Sequence, residues 1–245
     1  FDSDASDQTT NTTIFDTRVR LNAKSNINAN TEVFLQFQSV GSWGVDGGTD
    51  QRGTRQSLGG GGDQASDTLS DVGFHQAYLT LKNFAGQAVD MKIGRQEVVI
   101  GGHRLFGHTG WLQGAETKDA IRLSHAAGNH SIGYTYIAAD NGQSMTDLNE
   151  DDEDVHIITA GTQGVLGGSL TGIFTATIDD NTTAAAWEDE MTWFTVGARQ
   201  KGKLSGLDYR VEYYHQFGDA GAIANANNDM GITGVTADGG SVDRD

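Results

Sequence analysis

Leu207-Asp208-Tyr209-Arg210-Val211-Glu212-Tyr213 alternates apolar and charged side chains without a break, and that alternation decides the fold. Successive side chains of a strand point to opposite faces. Leu207, Tyr209, Val211 and Tyr213 therefore share one face, while Asp208, Arg210, Glu212 and, further on, Gln216 share the other. A charge at every second position cannot line a packed interior, because each unpaired charge buried there costs several kcal/mol or titrates away. It can border a water-filled lumen, with the apolar face turned to lipid.

The same period of two recurs upstream. Phe15, Val19 and Leu21 oppose Asp16, Arg18 and Arg20; Val33, Leu35 and Phe37 oppose Glu32, Gln36 and Gln38; Ala77, Leu79 and Leu81 oppose Gln76, Thr80 and Lys82. Ten strands are predicted, at 14–23, 30–40, 72–82, 88–100, 118–127, 130–139, 155–163, 169–178, 191–200 and 207–217. Short turns (24–29, 83–87, 127–129, 164–168, 201–206) alternate strictly with long connections (41–71, 101–117, 140–154, 179–190 and one opening at 218). That rhythm defines an all-β chain, a transmembrane antiparallel up-and-down β-barrel with turns on the periplasmic side and loops outside. Barrel closure satisfies the backbone amides that lipid cannot.

Composition narrows the rivals. Only 36% of residues are hydrophobic, and no run of about 20 apolar residues exists to form a spanning helix. With Cys 0 there is no disulfide framework, thiolate metal site or covalent haem attachment, and no cofactor is expected. The seven histidines form neither a His-x-x-x-His pair nor a His-Glu-x-x-His motif. Gly59 to Gly62 lacks the Lys-Ser/Thr that completes a phosphate cradle, and no Gly-x-Ser-x-Gly elbow occurs, so no enzyme is indicated. A net charge of −17 points away from nucleic acid.

The charge is unevenly spread. Most of the 33 acids fall in loops, whereas Arg18, Arg20, Lys82, Lys92, Arg95, Arg122, Arg199 and Arg210, half of the 16 bases, fall in strands. An acidic rim over an arginine-bearing wall results. Parity assigns Arg18, Arg20, Gln36, Gln76, Lys92, Arg122, Arg199 and Arg210 to the lumen as solute-facing groups. The acidic run Glu150 to Asp154 raises a calcium site at Asp151, Asp152 and Asp154, although the alternating pattern that wraps one ion is missing.

The stretch 94–111 carries its own problem. Val89, Met91 and Ile93 set a parity that turns Arg95 and Glu97 to lipid. An arginine there costs about 2–4 kcal/mol at mid-depth. A bulge at Gly94 that turns Arg95 inward, or pairing of Arg95 with Glu97, resolves the conflict. The apolar Phe106 and Trp111 then imply that 101–117 folds inward and narrows the pore, held by Arg95 or Arg104.

Phe74-His75-Gln76-Ala77-Tyr78-Leu79-Thr80-Leu81-Lys82-Asn83, Lys92-Ile93-Gly94-Arg95-Gln96-Glu97, Arg104-Leu105-Phe106-Gly107 with Trp111, and Leu207 through Gly218 together resemble the alginate-export porin family. The resemblance runs from about Arg18 to Gly218 and centres on the Gly-Arg-Gln-Glu hairpin. It implies a large outer-membrane barrel of a Gram-negative bacterium with an arginine-rich lumen, which in the alginate exporter conducts an anionic polysaccharide. Arg95 and Arg104 match the family's motif by position.

The expected function is passive conduction of hydrophilic, anionic or oligosaccharide solutes, with outer-membrane lipid and lipopolysaccharide around the wall. A structural sheath enclosing a periplasmic protein, such as an electron carrier, is the alternative; an adhesin or phage-receptor surface is a third. Residues 1–245 read as a single barrel domain, with 1–13 and 218–245 as parts of outer loops. Ten strands between two half-loops suggest an internal portion of a larger barrel, whose first and tenth strands do not pair.

Overall fold

A computed structural model describes residues 15–42, 72–111, 114–141, 152–179, 191–218 and 232–237. These form one antiparallel sheet in which each strand neighbours the next in sequence: β1 (Asp16–Asn28), β2 (Thr31–Ser42), β3 (Gly73–Leu81), β4 (Asp90–Gln96), β5 (Lys118–Ala127), β6 (His130–Asn141), β7 (Asp152–Val165), β8 (Gly168–Asp179), β9 (Met191–Leu204), β10 (Leu207–Gly218) and β11 (Ile232–Ala237). The up-and-down order is the expected one. β11 is an addition: Ile232-Thr233-Gly234-Val235-Thr236-Ala237 pairs with Val211–Gln216 of β10, within a stretch read from sequence as loop. Six residues interrupted by a glycine give too brief an alternation to stand out. Among the described residues β1 pairs with β2, β11 pairs with β10, and no ladder joins β1 to β10 or β11. Residues 1–13 lie outside the described residues.

The short turns carry the backbone that hairpins demand. Leu166 and Gly167 (φ 45° and 72°) and Ser205 and Gly206 (φ 50° and 87°) occupy the left-handed region in pairs, matching the two-residue turns whose twist suits antiparallel strands.

Polarity is inverted relative to a water-soluble domain. Leu21 is 67% exposed and Val211 49%, whereas Gln38 and Glu212 are each 1% exposed and Gln96 is fully buried. Register places Val33, Leu35, Phe37, Leu79 and Leu81 on the face of Val19 and Leu21, and Tyr213 on that of Val211. Phe37 and Phe74 pack with tilted rings, their centroids 4.7 Å apart, and Phe194 packs with both Phe174 and Phe217 on this outer face. The opposite, inner face carries Thr135, Thr175, Thr177 and Thr195, all nearly buried.

The bulge expected at Gly94 is absent, since the β3–β4 and β4–β5 ladders run through Gly94 without a shift. It occurs instead in β3, where Gln36 pairs with Gln76 but Phe37 pairs with Phe74. The extra residue is His75, and both His75 and Gln76 become buried.

Candidate pore constriction

Residues 97–111 and 114–117 follow β4 over the inner face of the sheet as a strap. Its first anchorage is polar. Glu97 Oε1 accepts from Arg20 Nη1 at 3.2 Å and contacts His75 Nε2 at 2.9 Å, while His108 Nε2 stands 3.9 Å from Oε2. Arg20 Nε donates to Gln38 Oε1 at 2.6 Å, and Gln38 Nε2 donates to the carbonyl of Gly114 at 2.7 Å. Both ends of the strap are thereby tied to β1–β3. An amide chain continues the network, with Gln36 Nε2 donating to Asn22 Oδ1, Gln76 Nε2 to Gln36 Oε1, and the Glu97 amide to Gln76 Oε1. His75 is the largest influence on Glu97, and with His108 and Arg20 it outweighs burial and holds the carboxyl below the usual carboxylate range.

The second anchorage is apolar. Val98 and Ile100 sink into a cluster with Ala120, Ile137, Val155, Ile157 and Ile173, flanked by Phe106, Ala139 and Tyr214. Ile100 and Phe106 form an isolated antiparallel bridge that closes the strap on itself. Full burial of an isoleucine or valine stabilises by about 1.5–3 kcal/mol, so this seat is substantial.

The strap's tip then meets β8–β10. Gly101 (φ 60°) lies against Ile173, Arg199 and the Tyr214 hydroxyl, and a Cβ on Gly102 would fall 2.3 Å from Glu212 Oε1. Two glycines are what lets the backbone reach that carboxylate. Glu212 accepts from Arg199 Nε at 2.6 Å and has Arg210 Nε at 3.7 Å.

The structure thus puts Arg18, Arg20, Gln36, Gln76, Lys92, Arg122, Arg199 and Arg210 on the inner face and joins several of them through Glu97 and Glu212. Arg95 is a correction. It keeps the parity of Met91 and Ile93 on the outer face, where Nε and Nη2 grip Asp119 at 3.0 and 2.5 Å. A carboxylate directly across at the loop end of the strand removes the need to turn inward. Arg104 does not hold the strap: exposed on it, the side chain makes no hydrogen bond among the described residues. The strap folds inward as expected, but Arg20, Gln38 and the apolar seat hold it. Trp111, expected to be buried, is 78% exposed, whereas Phe106 packs against the cluster.

Of the calcium candidates, Asp151 and the side chain of Asp152 lie outside the described residues, and Asp154 accepts from the Tyr136 hydroxyl at 2.7 Å on the outer face. Strand β7 sends Asp154 and Glu153 to opposite faces, so they cannot enclose one ion together.

The sequence reading missed Glu97 as the hub, the glycine pair at the tip and the inward apolar seat. The signal for the seat was available: Ile157-Ile158 and Ile173-Phe174 are apolar on both faces, the mark of a strand covered on both sides.

An up-and-down sheet that is apolar outside, polar inside and crossed by an inward strap belongs to the outer-membrane β-barrel porins. The profile of the alginate export family matches residues 4–240, and the chain belongs to that family. No curated protein matches it significantly.

Proposed function

We propose that this chain conducts hydrophilic, predominantly anionic solutes across the outer membrane of a Gram-negative bacterium by diffusion, with no chemistry of its own. The observation that carries this reading is the strap of residues 97–111 and 114–117, pinned at both ends to the polar inner face of β1–β3 by Arg20–Glu97 and Gln38–Gly114 and seated at its tip beside Arg199–Glu212. A strap so placed narrows a water path without closing it, and selectivity follows from cross-section and from the arginine and carboxylate groups around it. The apolar outer face meets lipid and lipopolysaccharide. A chain segment already lying on the inner face also speaks for a solute path over a sheath that wraps a second protein.

Planar-bilayer recordings of the purified protein test the proposal. Expected is a discrete ohmic conductance whose reversal potential in a salt gradient favours anions. Cation preference, or no conductance from folded barrel, contradicts it.

A further inference from the structure

Charge on the outer face is confined to one line. Among the side chains described there, Arg95, Asp119 and Asp154 carry it, and the register sets them in one row across β4–β7: Arg95 opposite Asp119, Asp119 opposite Ala138, Ala138 opposite Asp154. With strands about 4.8 Å apart, the ends of the row stand roughly 14 Å from one another. Ile93, Ile121, Tyr136 and His156 form the next row below, and the Tyr136 hydroxyl rises from it to donate to Asp154 Oδ1 at 2.7 Å. A tyrosine with its ring among apolar neighbours and its hydroxyl on a polar group marks the membrane interface, so the row lies at the outer rim of the lipid belt. Pairing within the row is incomplete. Arg95 spends Nε and Nη2 on Asp119, and its Nη1 makes no hydrogen bond among the described residues. Asp154 Oδ2 accepts none among them either. The open donor and the open acceptor are too far apart to meet within one chain.

We infer that this row is the contact face of a homodimer, in which a second copy of the chain stands back to back with the first about a two-fold axis along the membrane normal. That rotation reverses the row. Arg95 of each copy then faces Asp154 of the partner subunit, and Asp119 faces Ala138 of the partner subunit. An isologous contact demands such self-complementarity. Each Arg95 keeps its own Asp119 and gains a second carboxylate, which satisfies Nη1 and Asp154 Oδ2 together. Barrel walls are convex, so the flanks of the contact stand farther apart than its centre. The long arginine falls at the flanks, and the alanine falls beside the axis, where room is least. In the row below, Ile93 faces His156 of the partner subunit and Ile121 faces Tyr136 of the partner subunit, at matching depth. Close packing and polar pairs, not hydrophobicity, hold such contacts together in lipid. The inference rests on the outer-membrane reading, which turns this face to lipid, and not on conduction.

The test is the subunit count of the purified protein in lipid bilayers, read by single-molecule photobleaching beside conductance recordings. Two copies per particle are expected. Arg95→Glu and Asp154→Lys should each weaken association by about tenfold or more, because like charges then face each other at both ends of the row. An equimolar mixture of the two variants should recover dimers, since every facing pair is again opposite in charge. A merely structural role for either residue would not produce that recovery. With Cys 0 in the chain, introduced cysteines report without background. Ala138→Cys, beside the axis, should be joined to a second copy by a short bismaleimide, and Leu170→Cys, exposed on the outer face near the short turns, should not. Heat-modifiable electrophoretic mobility verifies folding, and the cross-linking arm decides if a charge reversal fails to fold. A monomeric parent, dimers that persist in both reversals, a mixture that stays monomeric, or equal cross-linking at the two cysteines overturns the interface. A barrel that conducts as a monomer defeats the interface alone; a dimer that does not conduct defeats the porin reading alone.

Discussion

The strap is fastened to the two sides of the sheet by unlike means. At β1–β3 the fastening is a network of directional bonds around Glu97; at β6–β8 it is an apolar seat built on Ile137, Val155, Ile157 and Ile173. The seat is non-directional and gains stability with buried area. The network fixes position, since Arg20, His75 and Gln38 satisfy their partners in one arrangement, and leaving any of them unpaired carries its own cost. One fastening supplies adhesion and the other supplies register.

Breaking the seat should have the larger effect. Ile100→Ala removes a nearly buried side chain and is expected to cost the strap about 2–4 kcal/mol, read as much faster hydrogen exchange of the amides bridging Ile100 and Phe106, with the barrel strands unaffected. An exchange rate unchanged there would mean that the seat does not hold the strap.

Breaking the network comes next. Glu97→Gln takes away the charge that Arg20 and His75 share, at an expected cost of about 1–3 kcal/mol, and should add conductance flicker before it alters mean stability. The pH dependence has a definite sign: because the Glu97 carboxyl is held below its usual range, its contribution is complete above the ordinary glutamate pKa of about 4.3 and is lost only as pH falls through the lower folded value. Flicker in the parent should therefore stay constant from pH 7 to about pH 4.3 on account of this group, and appear below that. Glu97→Gln should show it at neutral pH.

The contrast also separates what was legible in the sequence from what was not. Strand alternation, as in Leu207 to Tyr213, is local, and one covered face suffices to read it. Gln36, Gln76 and Arg122 were placed on the inner face by that period alone. Arg95 was misplaced because its partner, Asp119, lies 24 residues away and pairing across strands leaves no mark at short range. His75 acquires its burial from a bulge, and a bulge is visible only in the register of two strands. Ile137 and Ile157 are apolar on an otherwise polar inner face because the strap covers them, a contact that no local pattern announces.

The smallest effect is expected outside the lumen. Arg95→Ala breaks an exposed pair with Asp119, worth about 0–1 kcal/mol, and should leave conductance and anion preference as they are. A marked loss of anion preference in that variant would put Arg95 back on the solute path and undo the assignment of faces.

The most direct measurement is the single-channel conductance of a variant in which residues 101–113 are replaced by a short Gly-Ser linker. With the barrel still heat-modifiable, the account predicts a severalfold higher conductance, as an inner strap that narrows the path is removed. Conductance equal to that of the parent would contradict it.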